Sequence, residues 1–142
     1  MKRTAKRCGI RIRGHRGHPV VRGALIRFAC WLRETHEFPI RVPVYLSPHE
    51  RVRTVHGEWA SASFFAPWDR NVEPYIRIAT GDYPRLRSAG SRDDALASYI
   101  TSLAHEVVHY HQWVATGEMH ERGVARAAIG LLRRYEATVA RP

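Results

Sequence analysis

The pattern of apolar residues changes along this chain and predicts helices in some regions and strands in others. Over residues 21–35 they recur every three or four residues, which predicts a helix that buries one face. The positions concerned are Ala24, Leu25, Phe28, Trp31 and Leu32. Over residues 38–80, short stretches rich in β-branched and aromatic residues are broken by proline and glycine, which predicts strands. We expect about three, at Ile40–Leu46, Glu58–Phe65 and Tyr75–Ala79.

The C-terminal third returns to helical spacing after a predicted loop over residues 80–92. Ser91 lies three residues before Asp94, so its hydroxyl can accept hydrogen bonds from the first amides of a helix. We predict a long helix over Arg92–Val114, an interruption at Thr116-Gly117 and a final helix over Glu118–Ala140. The order helix, three strands, helix, helix predicts an α+β fold with helices packed on one face of a small sheet.

Charge is distributed unevenly over the 142 residues, whose length is that of one domain. The net charge is +10, and residues 1–22 contain eight basic residues and no acidic one. We therefore predict a basic N-terminal arm over residues 1–20 and a single domain over residues 21–142. Since such an arm can neutralise phosphates, nucleic acid is a candidate partner.

Neither a membrane span nor a secretory signal is predicted. No apolar run approaches the roughly 18 residues that a membrane helix needs. No apolar stretch follows the charged start, as it would in a signal peptide. The two cysteines, Cys8 and Cys30, form neither a disulfide framework nor a Cys-x-x-Cys pair. These features exclude an integral membrane protein and predict a cytoplasmic protein without a membrane partner.

The strongest chemical signal is His105-Glu106-Val107-Val108-His109, within the predicted long helix. Residues four apart lie about 40° apart around a helix, so His105 and His109 project from one face toward a single metal ion. Glu106 is rotated by roughly 100° and lies beside the metal, where its carboxylate can take a proton from an activated water. The pattern therefore predicts a zinc site with Glu106 as its base.

The two faces of this helix differ in polarity. The face of the two histidines also carries Ser98, Thr101, Ser102 and Gln112. The opposite face carries Leu96, Ala97, Ile100, Leu103, Val107 and Val114. We expect the apolar face to pack on the core and the polar face to line a cleft.

A catalytic zinc site usually has three protein ligands, so a third ligand is expected. The metzincin arrangement is excluded, because the position six residues after the second histidine is Ala115. The candidates nearby are Glu118, His120, Glu121 and Glu136.

Hairpin geometry favours Glu121 among these candidates. If the last two helices turn back at Thr116-Gly117, His109 faces approximately residues 121–124. Glu136 then lies about 20 Å farther along the last helix. Glu121 also shares a helical stripe with apolar residues, and a carboxylate next to a buried seam needs a partner. The stripe consists of Val124, Ala125, Ala128, Leu132, Tyr135 and Val139. We predict Glu121, with Glu136, His120 and Glu118 as alternatives.

The segment 103–113, with Glu121-Arg122, Ala128, Leu131-Leu132 and Tyr135 after it, resembles small zinc metallopeptidases of the HExxH (zincin) type. The resemblance is to the gluzincin and SprT-like kind found in bacteria and phages. It implies zinc ligation by His105 and His109, catalysis by Glu106 and an acid on the following helix, here Glu121. SprT-like proteins proper use a third histidine, for which only His120 is available.

We accordingly expect hydrolysis of peptide bonds in a peptide or protein substrate by a zinc-activated water, with Glu106 as general base. The strand predicted at Glu58–Phe65 would pair with the extended substrate. Candidates for stabilising the oxyanion are Tyr110, His111, His120 and Tyr135. The competing interpretation is a nucleic-acid-associated protein whose zinc site is idle or structural, with the basic arm as its binding segment.

Overall fold

A mixed four-stranded sheet lies at the centre of the computed structural model, which describes residues 9–139. Its strands follow the order β1-β2-β6-β5, and a separate hairpin pairs β3 with β4. In chain order the elements are β1 (Ile10–Arg13), α1 (Pro19–Thr35), β2 (Val42–Ser47), β3 (Val52–Arg53), β4 (Trp59–Ala60), β5 (Ala62–Phe65), β6 (Tyr75–Ala79), α2 (Tyr83–Ala89), α3 (Arg92–Thr116) and α4 (Val124–Val139). Strands β1, β2 and β6 are parallel, and β5 runs antiparallel to β6 at one edge.

The predicted α+β class is confirmed, and so are the two helices with the clearest local signals. Helix α1 starts at Pro19, which needs no amide partner at a first helical position. Helix α3 starts as predicted, because the Ser91 hydroxyl accepts from the Asp94 amide at 3.0 Å. It ends at Gly117, whose φ of 80° is the left-handed conformation that glycine adopts most readily.

The predicted N-terminal arm is wrong where it overlaps β1. Ile10 is fully buried, and the Gly9 amide donates to the Phe38 carbonyl at 2.9 Å. The alternation of isoleucine and arginine over residues 10–13 is the pattern of a strand with one buried face. The sheet therefore has four strands where three were predicted. Residues 1–8 of the predicted arm lie outside the described residues.

Two further boundaries differ from the prediction. The strand predicted at Glu58–Phe65 is interrupted at Ser61 and forms β4 and β5. The predicted loop over residues 80–92 contains the short helix α2, in whose first turn Pro84 fits without losing a hydrogen bond.

The final helix begins at Val124 rather than at Glu118. Gly123 has a φ of 74°, a left-handed conformation that a right-handed helix cannot continue through. The buried residues of α4 are Val124, Ala128, Leu131 and Tyr135, whereas Ala125 and Val139 of the predicted stripe are exposed. The predicted end at Ala140 lies outside the described residues.

One core joins the helices to the inner face of the sheet. Helix α1 packs against β1, and α3 packs against β5 and β6. The inner face contributes Ile10, Val42, Val44, Leu46, Phe64, Ile76 and Ile78. Trp113, Tyr110 and Phe28 are the largest fully buried side chains, and the Trp113 indole donates to the Pro67 carbonyl at 3.0 Å. This packing holds α3 rigidly beside β5.

Within residues 9–139, no helix combines the length and the apolar character that crossing a membrane requires.

Candidate metal centre

Two imidazoles and one carboxylate converge at the polar face of α3. His105 and His109 lie about one helical turn apart, with ring centroids separated by 5.0 Å. Glu121 reaches both, with Oε1 at 3.3 Å from His105 Nε2 and Oε2 at 3.0 Å from His109 Nε2. The three ligand atoms all lie within 4.8 Å of one another. A single small cation can therefore contact all three.

Gln112 determines which nitrogen of His109 carries the proton. Its Oε1 accepts the His120 backbone amide at 3.1 Å, so this atom is the amide oxygen and not the nitrogen. His109 Nδ1 lies 3.0 Å from the same oxygen and must donate to it. A neutral His109 thus presents the lone pair of Nε2 to Glu121. Two acceptors 3.0 Å apart repel each other unless a proton or a cation lies between them.

The donor set also fits a particular class of cation. Two imidazole nitrogens and one carboxylate oxygen are ligands typical of zinc, whereas magnesium and calcium prefer oxygen alone. The hydrogen bond from His109 Nδ1 to Gln112 is the support that a metal-binding histidine usually receives on its other nitrogen. The residues present therefore fit a zinc ion.

Glu121 lies in the connection between α3 and α4, not in the first turn of a helix as predicted. Glycines in left-handed conformation stand at both ends of this connection, at Gly117 and Gly123. The His120 backbone amide donates a hydrogen bond to Gln112, and this directs Glu121 toward the two histidines. The predicted proximity of Glu121 to His109 is confirmed, although a loop and not a helix produces it.

The other candidates for third ligand do not belong to this cluster. Glu136 is exposed on α4, and Glu118 is exposed at the start of the connection. The His120 imidazole is directed at Gln112, with its Nε2 3.4 Å from Gln112 Nε2. Within residues 9–139, the group of side chains that could hold a metal ion consists of His105, His109 and Glu121.

Glu106 lies beside this cluster and is partly buried. Its pKa is raised to about 7, chiefly by burial and to a smaller extent by the negative charge of Glu121, while His109 opposes the shift. A carboxyl group that titrates near neutrality can both accept and release a proton under physiological conditions. The structure thus combines a candidate metal site with a candidate base.

A cleft of about 530 Å³ opens above these residues. Residues of β5 and α3 line it, together with residues of the β3–β4 hairpin and residues 119–121. Among the described residues, β5 pairs with β6 only, so its second edge faces the cleft. Unpaired strand groups at such an edge can bind an extended peptide by adding a strand.

The four candidates for oxyanion stabilisation are separated by the structure. His120 lines the cleft. The Tyr110 phenol hydrogen-bonds to both the amide and the carbonyl of Ile40, and Tyr135 packs against Phe28 in the core. His111 contacts the Glu37 carbonyl at 2.8 Å.

The sequence analysis assigned no role to two residues of the candidate site. His56 lines the cleft from the β3–β4 hairpin, far from the motif in sequence. Gln112 was predicted only as part of a polar face, although its position three residues after His109 places the two on adjacent turns of one helix. That spacing could have indicated its hydrogen bond to His109.

Comparison of this chain with protein-family models, with curated proteins and with solved structures finds no match. Its function is therefore inferred from the site.

Proposed function

We propose that this chain is a zinc-dependent metallopeptidase, with His105, His109 and Glu121 as zinc ligands and Glu106 as general base. The observation that carries the proposal is the convergence of the three donor groups beside the partly buried carboxyl group of Glu106 in an open cleft. Three protein ligands leave coordination positions for water and substrate, as catalytic zinc sites require.

Each part of the site has a role in peptide hydrolysis. A bound zinc ion supplies Lewis acidity, which lowers the pKa of water and polarises a carbonyl group. Glu106 takes the proton from the attacking water and delivers it to the leaving amine. The free edge of β5 aligns the extended substrate along the cleft. His120, which lines the cleft, donates to the developing negative charge on the carbonyl oxygen.

The deciding experiment separates metal binding from turnover. Zinc-loaded protein is assayed on a library of quenched fluorescent peptides, and its zinc content is measured by elemental analysis. Glu106→Gln should retain zinc and lower hydrolysis about 10²- to 10⁴-fold, because the variant lacks the base. His105→Ala should lose zinc itself. Glu118→Gln is the matched control, since Glu118 is exposed nearby and lies outside the ligand cluster.

Other outcomes assign the site differently. If Glu106→Gln cleaves peptides at the rate of the original chain, Glu106 is not the base. If His105→Ala keeps its zinc, the cluster is not the metal site. Stoichiometric zinc without hydrolysis of any peptide would favour the competing interpretation, in which the metal is idle or structural.

A further inference from the structure

The outer face of the sheet, turned away from α1 and α3, carries arginines and aromatic rings side by side. Side chains alternate along a strand, so the neighbours of core residues point outward. One cross-strand row on this face runs Arg13, Tyr45, Arg77 and Ser63. In this row Tyr45 stands between two arginines, with about 5 Å separating adjacent strands.

This outer face is strongly cationic. None of its strand positions is acidic, and Arg11 adds a third guanidinium beside the row. Within residues 9–139, Arg11, Arg13 and Arg77 form no ion pair, unlike Arg41, which lies 3.5 Å from Glu73. Unpaired positive charge concentrated on one face attracts a polyanion.

Three aromatic rings on the same face lie outside the hydrophobic core. Tyr45 is 44% exposed. Tyr75 lies 6.1 Å from Tyr45 and is stacked on Phe65 at 5.0 Å between ring centroids. Phe65 and Tyr75 are partly buried, so Tyr45 offers the exposed ring between cationic residues on which an unpaired base can stack.

A cavity of about 380 Å³ adjoins the row. It is lined by Arg13, Arg16 and Arg77 together with His49 and Tyr45. Guanidinium groups bind phosphate through paired hydrogen bonds, and an adjacent phenol ring can pack against a sugar or base.

We propose that the outer face binds single-stranded nucleic acid, with Arg13 and Arg77 at the phosphates and Tyr45 stacked on a base. A single strand fits better than a duplex, because only unpaired bases expose their faces to aromatic rings. An acidic peptide would form ion pairs with the arginines but would supply no bases to stack on the aromatic rings. The site takes Arg13 from the segment that the sequence predicted as an arm, but holds it in the folded sheet, one strand away from Tyr45.

The test measures binding of a fluorescent twelve-nucleotide oligothymidylate to the full chain at several salt concentrations. Arg13→Gln combined with Arg77→Gln should weaken binding at least tenfold. The slope of the logarithm of the binding constant against the logarithm of the salt concentration should become less negative by about 0.7 for each lost phosphate contact. Tyr45→Ala should weaken binding roughly tenfold, whereas Tyr45→Phe should restore it, because the ring carries the stacking.

Matched variants control for charge and folding. Arg126→Gln combined with Arg133→Gln removes the same charge from exposed positions on α4 and should leave affinity within about twofold. Thermal unfolding should be the same for the original chain and for the arginine and Tyr45 variants. Glu106→Gln should bind the oligonucleotide as tightly as the original chain does. The nucleic-acid proposal can therefore hold if the peptidase proposal fails, and the peptidase proposal can hold if the nucleic-acid proposal fails.

Three results would overturn the proposal. Equal loss in the α4 control pair would indicate attraction by net charge alone. Binding of duplex DNA or polyglutamate as tightly as the single strand would remove the role of stacking. Full affinity in the Arg13 and Arg77 variant, together with loss on deletion of residues 1–8, would assign the interaction to the N-terminal residues instead.

Discussion

The cleft and the outer face both include residues of β5, but they are assembled in different ways. In the cleft, His105, His109 and Glu121 come from one short stretch of chain, and hydrogen bonds fix the orientation of His109. On the outer face, Arg13, Tyr45 and Arg77 come from three strands and become neighbours only through pairing. Chemistry at a metal needs donors fixed in position, whereas contact with a flexible polyanion needs charge and rings on a suitable surface.

The largest difference we expect is in stability, between two adjacent residues of β1. Ile10→Ala should lower the free energy of unfolding by about 2–5 kcal/mol, because Ile10 is fully buried in the core. Arg11→Ala should change it by less than about 0.5 kcal/mol, because Arg11 is exposed on the outer face. Urea unfolding measures both. A similar small effect for Ile10→Ala would mean that residues 10–13 are not an integral strand.

The second prediction concerns the pH dependence of stability in the zinc-free protein. The pKa of Glu106 rises to about 7 on folding, so the folded chain keeps a proton that the unfolded chain releases above pH 4.5. Stability from this group is therefore present below pH 4.5 and lost as the pH rises toward 7. Glu106→Gln should remove that loss, so its free energy of unfolding at pH 8 should exceed that of the original chain by up to about 3 kcal/mol.

Urea unfolding at pH 4.5 and pH 8 measures this gain. Glu118→Gln should show no such pH-dependent gain. Identical pH profiles for Glu106→Gln and the original chain would contradict the burial of the Glu106 carboxyl group. Oligonucleotide binding should be the same in both, because Glu106 belongs to the cleft and not to the outer face.

Gln112 should affect the cleft alone, and to a smaller extent. Gln112→Ala removes the acceptor shared by His109 and the His120 amide, and we expect zinc affinity to fall about 10- to 100-fold. Gln112→Glu should largely restore it, since a carboxylate oxygen can accept both hydrogen bonds. Competition with a chromogenic chelator measures the affinity. Unchanged affinity in Gln112→Ala would show that His109 needs no such support.

The smallest effects are expected at two glycines near the start and in the middle of α4. Gly123→Ala should destabilise by about 1–2 kcal/mol, because its φ of 74° is unfavourable for a residue with a Cβ. Gly130→Ala should stabilise by about 0.5–1 kcal/mol, because Gly130 lies inside the helix. Thermal melting compares the two, and equal effects of the same sign would contradict the left-handed conformation at Gly123.

Local signals in the sequence predicted much of the fold and of the candidate site. Helical spacing and the Ser91 cap are properties of neighbouring residues, so α1 and α3 were predicted closely. Two histidines four residues apart on one helix had to share a face, whatever the rest of the chain did. Glu121 is predicted as the third ligand because Thr116-Gly117 indicates a turn, and a short connection after that turn brings residue 121 back toward His109.

Features that depend on distant pairing escaped prediction. Strand β1 was missed because its arginines were interpreted as charge, although they alternate with Ile10 and Ile12 on opposite faces. The outer face was missed because nothing within one segment indicates that Arg13 lies beside Tyr45. His56 reaches the cleft only through the position of the β3–β4 hairpin.

The short separation between the ligands also bears on local opening of the fold. His109 and Glu121 are only 12 positions apart, so a cation that joins them closes a small loop at little entropic cost. By contrast, the pairing of Ile10 with Val42 closes a much longer loop, which includes the whole of α1. A zinc ion would act as a cross-link between the end of α3 and the segment entering α4. Amide exchange near the start of α4 is where its restraint should be most evident.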